Sequence, residues 1–144
     1  MVRALSILAY FGMVGGLVAL LLTKNLFSPS VFVIAPQAAA FCLMVWARVT
    51  FGKRSFHLAA NPTEGGLVTT GPYRFIRHPI YTSIFAFTLP GAIAHLGWPS
   101  AVLELLIISS GLARLFFEEK LVLTRYPAYE QYAATTPRII PFVF

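Results

Sequence analysis

Long stretches without a charged residue constrain this chain more than any other feature. Positions 4–23, between Arg3 and Lys24, and positions 25–47, between Lys24 and Arg48, contain none. Each is long enough to cross a bilayer as a helix, which takes about 20 residues. Apolar residues occupy 58% of the 144 positions and charged residues 11%, whereas soluble domains have about 25% charged residues. Because so short a chain cannot bury that much apolar surface in water, we predict an all-α integral membrane protein.

Four transmembrane helices are predicted within a single domain. The spans cover residues 4–23, 30–50, 79–96 and 99–117, with a loop at 51–78 and a tail at 118–144. An even number of spans places both termini and the loop on one side, together with every Lys and Arg except Lys24. Because basic residues favour the cytoplasmic side, we predict a multi-pass protein of a prokaryotic plasma membrane with both termini in the cytoplasm. The alternative for the first run is a signal peptide, but the run is longer than a typical signal core and no clear cleavage site follows it.

In a soluble protein, the net charge of +6 would suggest a nucleic-acid partner. Here the basic residues flank apolar runs, as membrane topology requires. We therefore predict no nucleic-acid partner. No spacing of His, Cys or acidic residues suggests a metal site. The single cysteine, Cys42, lies inside an apolar run and is predicted to be a small buried hydrophobe.

A cluster of basic and aromatic residues precedes the third predicted span, in the sequence LVTTGPYRFIRHPIY at positions 67–81. A short helix that starts at the Gly-Pro turn would place Arg74 on the same side as Arg77 and His78. With Tyr81 one turn into the span, these residues predict a cationic and aromatic rim at the membrane surface. The alternative is a set of snorkelling basic residues with an interfacial tyrosine, although ionisable clusters at a membrane are candidates for function.

A second polar group stands at the inner end of the fourth predicted span. Arg114 and Glu118 are four residues apart and share a helix face, whereas Glu119 projects about 100° away. The alternative is a solvated helix end with one weak ion pair. A positively charged ligand held in the bundle would need such carboxylates, so the two polar groups belong to one hypothesis.

The tail helix and Glu104 each have two interpretations. Tyr129 and Tyr132 share a face of a short tail helix, which predicts either an interfacial anchor or a lid over the cytoplasmic mouth. Glu104 lies about two turns below the outer surface, where a charge is costly. His95 is a possible partner, and a structural polar contact is favoured over a proton relay.

These motifs together resemble the isoprenylcysteine carboxyl methyltransferase family and the related phospholipid N-methyltransferases. The resemblance covers about residues 50–141. It is carried by Leu-Val-Thr-Thr-Gly-Pro-Tyr-x-x-x-Arg-His-Pro-x-Tyr, by Arg-x-x-x-Glu-Glu, and by Tyr-x-x-Tyr followed by Arg-x-Ile-Pro. It implies a multi-span membrane methyltransferase that uses S-adenosylmethionine, with a cytoplasmic loop and tail forming the cofactor site. A lipophilic or prenylated acceptor would reach this site from the bilayer.

The resemblance, together with the chemistry of the cofactor, implies roles for individual residues. The predicted cofactor-binding residues are Leu67, Val68, Tyr73, Arg77, His78, Pro79, Ile80, Tyr81, Glu118 and Glu119. Arg114 would bind the polar head of the substrate, and Arg114 and Glu118 would be catalytic. The acceptor would be an isoprenylcysteine carboxylate or another small lipid, with a phospholipid amine as an alternative. A four-helix transporter that uses Glu104 and a lipid reductase are the alternatives outside methyl transfer.

Overall fold

The computed structural model describes residues 2–52, 66–141 and 143, and over these residues it is helical without strands. The helices are α1 (Val2–Leu22), α2 (Val31–Phe51), α3 (Pro79–Ala94), α4 (Trp98–Arg125) and α5 (Tyr129–Thr135), with a short 3-10 helix (Gly71–Arg74) before α3. The predicted all-α class is confirmed. Residues 53–65 of the predicted loop lie outside the described residues.

Local sequence explains where the helices begin and end. Helix α1 ends before Lys24, which adopts a positive φ of 59°. The Ser30 hydroxyl caps α2 by accepting a hydrogen bond from the Phe32 backbone N–H at 3.3 Å. Before α3, His78 is non-helical (φ −126°, ψ 58°) and Pro79 takes the first helical position, as expected for a residue that precedes proline.

Helices α1, α2 and α4 are long and apolar enough to cross a membrane, and α3 is a shorter apolar helix of 16 residues. The chain is an integral membrane protein. Helix α4 has 28 residues and is therefore about 42 Å long, more than the roughly 30 Å of a hydrocarbon core. It continues past the predicted span 99–117 because no Gly or Pro interrupts residues 112–126. Glu118 and Glu119 thus lie on a continuous helix rather than in a tail.

Helices α1 to α4 pack in the order α2, α3, α4, α1. Small residues allow the closest approach: a Cβ added at Gly12 or Gly16 of α1 would lie 2.6 Å from Ser110 Oγ or 2.7 Å from Ile107 Cγ1 of α4. A Gly-x-x-x-Gly spacing of this kind lets membrane helices pack backbone to backbone. The contact fixes the register of α1 against α4.

The outer faces of the long helices are apolar and exposed, as lipid contact requires; Phe32 and Val49 are 84% and 75% exposed. Cys42 lies on such a face and is exposed, so the prediction of a buried cysteine is wrong. The buried face of helix α2 contains Ala40 and Ala47. Cys42 comes two positions after Ala40 and therefore points about 200° away from that face.

Candidate active site

Glu119 is the centre of a buried group of charged side chains where α4 leaves the bundle. Its side chain is 8% exposed. Its Oε1 atom lies 2.8 Å from Arg77 Nη1, 3.0 Å from His78 Nε2 and 3.1 Å from the Tyr129 hydroxyl. Its Oε2 atom lies 3.0 Å from Arg138 Nε. We call these five residues the Glu119 cluster; it joins α4 to the start of α3, to α5 and to the tail.

Glu118, on the neighbouring face of α4, belongs to a second group of polar side chains. Its Oε1 atom accepts hydrogen bonds from the Tyr81 hydroxyl at 2.7 Å and from Arg114 Nε at 3.1 Å. Arg114 Nε also donates to the Tyr81 oxygen at 2.9 Å. The Glu118 side chain is 26% exposed, against 6% for Arg114. Of this Arg114–Tyr81–Glu118 group, therefore, the carboxylate is open to a ligand, while the guanidinium is enclosed.

Helix α1 contacts Arg114 from another side. Arg114 Nη1 donates to the Ser6 carbonyl oxygen at 3.2 Å, and the guanidinium carbon lies 4.9 Å from the centre of the Tyr10 ring. The sequence predictions omitted both α1 residues. No local signal marks them, because a Ser and a Tyr are ordinary members of an apolar run.

The tail runs beside the segment that precedes α3. The Arg77 backbone N–H donates to the Pro137 carbonyl oxygen at 2.8 Å, and the His78 N–H donates to the Arg138 carbonyl oxygen at 2.9 Å. Sequence reasoning noted the tail motif but did not assign Tyr129 or Arg138 to the site. The tail covers the Glu119 cluster, which is the position that the lid hypothesis requires.

Six of the predicted site residues come together at this end of the bundle: Arg77, His78, Tyr81, Arg114, Glu118 and Glu119. The rings of His78 and Tyr81 lie 5.8 Å apart and connect the two polar groups. Pro79 is buried as the first residue of α3, and Ile80 beside it is half-buried. The predicted rim and the predicted acidic pair therefore form one contiguous site.

Three further predicted cofactor-binding residues are not members of these two polar groups. The Tyr73 hydroxyl donates to the Ala47 carbonyl oxygen at 3.5 Å and its ring lies 5.4 Å from that of Phe51, so its side chain packs against α2. Leu67 and Val68 are half-buried in the irregular segment before the 3-10 helix.

Arg74 does not join Arg77 and His78, so the predicted three-residue cluster is wrong. Its guanidinium lies 4.7 Å from the centre of the Phe75 ring, and the residue is exposed. The reason is that the 3-10 helix ends at Arg74, and the helical spacing on which the prediction depended does not continue to residue 78.

Glu104 accepts a hydrogen bond from the Thr88 hydroxyl at 3.0 Å. His95 is not its partner, since His95 Nε2 lies 2.8 Å from the Phe27 carbonyl oxygen. That suggested pairing is therefore wrong, because His95 follows the end of α3 whereas Glu104 faces the interior of the bundle. The contact with Thr88 fits the structural role favoured for Glu104.

The fold and the site together define a helical membrane protein with ionisable and aromatic groups gathered at one end of its bundle. The sequence profile of the isoprenylcysteine carboxyl methyltransferase (ICMT) family matches residues 30–124, about two thirds of the chain. The chain belongs to this family, and it is a membrane methyltransferase of the isoprenylcysteine carboxyl type. Neither the comparison with curated proteins nor the comparison with solved structures returned a match.

The matched range includes α2, α3 and nearly all of α4, and it excludes α1, α5 and the tail. The two motifs that supply the site, at residues 67–81 and 114–119, both lie inside the matched range. Family membership favours methyl transfer over the transporter and reductase alternatives. Among residues 2–52, 66–141 and 143, no group of three or more His, Cys, Asp or Glu residues could hold a metal ion.

Proposed function

We propose that this protein transfers a methyl group from S-adenosylmethionine to a carboxylate on a lipophilic acceptor. The observation that carries the proposal is the meeting of α3 and α4, where Tyr81, Arg114 and Glu118 lie within hydrogen-bonding distance of one another beside the Glu119 cluster. A methyl donor with charged groups needs both a carboxylate and cationic donors in one place, and this end of the bundle provides them.

The residues at the site fit the chemistry of the cofactor. S-adenosylmethionine carries an amino-acid carboxylate, an ammonium group and a sulfonium. Arg77 Nε is buried and has no hydrogen-bond partner within the described part of the chain, so it has capacity for an additional acceptor such as a carboxylate. Glu118 is partly exposed and suits an ammonium group, and the ring of Tyr81 suits a sulfonium.

Glu119 supports the cofactor indirectly in this proposal. Both of its oxygens already contact side chains of the protein. Direct contact with the cofactor, which the sequence predicted, would require one of these partners to move away. We therefore assign the direct contact to Glu118 and the support of Arg77 and His78 to Glu119.

The cofactor, when bound, supplies an electrophilic methyl group. The protein's own task is to hold donor and acceptor in line and to exclude water, which can contribute several kcal/mol to catalysis. We assign the polar head of the acceptor to Arg114, whose guanidinium is the natural partner of a carboxylate. Because the Arg114 side chain is 6% exposed, the acceptor has to displace one of its present contacts to reach it. A carboxylate acceptor needs no general base, so no proton transfer is assigned to Glu118.

The site end of the bundle faces the cytoplasm in this proposal. The start of α1, the start of α3 and the end of α4 meet at this end, and the basic residues of the described segments, except Lys24, lie in these segments or next to them, as expected for a cytoplasmic side. This orientation gives a water-soluble cofactor direct access while the acceptor arrives from the bilayer. The plasma membrane of a prokaryote remains the proposed location.

The test is to incubate membranes containing the protein with methyl-labelled S-adenosylmethionine and to identify the labelled product by mass. A methyl ester releases methanol in base, whereas a methylated phospholipid amine does not, so the product separates the two acceptor classes. Calorimetry of the purified protein should show saturable cofactor binding that is lost in His78→Ala and Glu118→Gln. Arg114→Ala should lower turnover more than cofactor affinity.

Two controls define the outcome. Glu130→Gln, on the exposed face of α5, and Glu104→Gln, away from the site, should both leave binding and turnover unchanged. Folded protein that shows no saturable binding of S-adenosylmethionine would refute the proposal.

A further inference from the structure

We infer that helix α1 is part of the active site, with Tyr10 as a positioning residue that fixes the orientation of Arg114. The inference rests on the proposed function, in which Arg114 receives the head of the acceptor. It also goes beyond the family match, which begins at residue 30 and so says nothing about α1.

The contacts enclose the guanidinium from two directions. Its Nε edge donates to Tyr81 and Glu118, while its Nη1 atom donates to the buried Ser6 carbonyl oxygen. The Tyr10 ring, 4.9 Å from the guanidinium carbon, stacks within the range of a cation–π interaction. Hydrogen bonds alone would still let the guanidinium tilt, and an aromatic ring beside it restricts that freedom.

The packing of α1 on α4 explains why these residues meet. The contacts run in opposite directions along the two helices: Gly16 lies against Ile107, Gly12 against Ser110, and Ser6 against Arg114. The two glycines bring the helix axes close together. Tyr10 lies one turn after Ser6 on the same helix face, which places its ring beside Arg114.

Loss of this restraint on Arg114 should lower the catalytic rate rather than the stability of the fold. Small errors in the alignment of reacting groups lower the rate of a displacement steeply, so loss of the ring should act on turnover. Cofactor affinity should change less than turnover, because Tyr10 acts on Arg114, whereas the cofactor contacts are assigned to Arg77, Tyr81 and Glu118.

The experiment compares Tyr10→Leu, which removes the ring, with Tyr10→Phe, which keeps it. Phe32→Leu, at an 84% exposed position of α2, is the matched control for losing an aromatic ring. We expect Tyr10→Leu to lower kcat about tenfold with an unchanged Kd for S-adenosylmethionine, while Tyr10→Phe and the control stay within about threefold. If the Leu variant does not fold, Tyr10→Met fills similar space without a ring and serves in its place.

A double-mutant cycle separates positioning from general packing. If Tyr10 acts through Arg114, Tyr10→Leu combined with Arg114→Gln should be no slower than Arg114→Gln alone. Additive losses, or a Tyr10→Leu variant as active as Phe32→Leu, would overturn the inference. A parent protein that binds no S-adenosylmethionine and transfers no methyl group would instead refute the proposed function, so the two failures are distinguishable.

Discussion

Replacing Glu119 by glutamine tests whether the Glu119 cluster holds the site together. The change keeps the size of the side chain and one hydrogen-bonding oxygen, and it removes the negative charge between Arg77 and Arg138. Removing one partner of a buried ion pair costs about 3–5 kcal/mol because the remaining charge is left uncompensated. The Arg77 side chain is 6% exposed and cannot regain water, whereas that of Arg138 is 33% exposed and can. We therefore expect a loss at the lower end, about 3 kcal/mol.

The assay is denaturant unfolding of the purified protein in detergent, with the free energy of unfolding compared between variants. Glu130→Gln makes the same chemical change at an exposed position of α5 and should cost less than about 0.5 kcal/mol. If Glu119→Gln lost no more than Glu130→Gln, the cluster would not stabilise the fold and the reasoning would be refuted.

Three other outcomes are expected. Glu118→Gln should cost about 1–3 kcal/mol of stability, because it removes the negative charge beside the Arg114 side chain, which is 6% exposed, and it should abolish saturable cofactor binding in calorimetry. Gly91→Ala should lower the unfolding temperature, because a Cβ there would overlap the backbone carbonyl of Leu26, and overpacking of this kind costs about 1–3 kcal/mol. Burial raises the pKa of Tyr132 to about 12 from 10.0. The stabilisation that this buried, neutral hydroxyl provides should therefore be present below pH 10 and lost as the pH rises towards 12. Tyr132→Phe should remove this loss of stability at high pH in unfolding measurements.

The helical membrane class follows from the charge-free runs, because a chain in lipid must satisfy its backbone hydrogen bonds within helices. The length of α4 does not follow from the same reasoning. Glu118, Glu119 and Lys120 end the apolar run, but they are good helix formers and do not end the helix. Hydropathy marks where the membrane ends, whereas Gly and Pro mark where the helix ends, and in α4 these positions differ.

The site was predictable where its contacts are local. The pairing of Arg114 with Glu118 follows from helical spacing. The contact of Glu119 with Arg138, and that of Arg114 with Tyr10, join segments distant in the sequence. Their pairing depends on how α1 and the tail pack, and the hydropathy of an apolar run cannot distinguish a tyrosine that faces a guanidinium from one that faces lipid.

In the proposed function, the two adjacent acids of α4 have different tasks. Successive residues of a helix project about 100° apart, so one helix end can direct one carboxylate into the protein and the other towards a ligand. Glu119 is 8% exposed and surrounded by cationic and hydroxyl groups, whereas Glu118 is 26% exposed and shares one oxygen with Tyr81 and Arg114. A buried acid that holds the start of α3 and the tail against α4 lets its neighbour remain open without loosening the site. In the proposed function, this division of tasks lets one end of a small bundle bind a charged donor molecule while the start of α3 and the tail stay packed on α4.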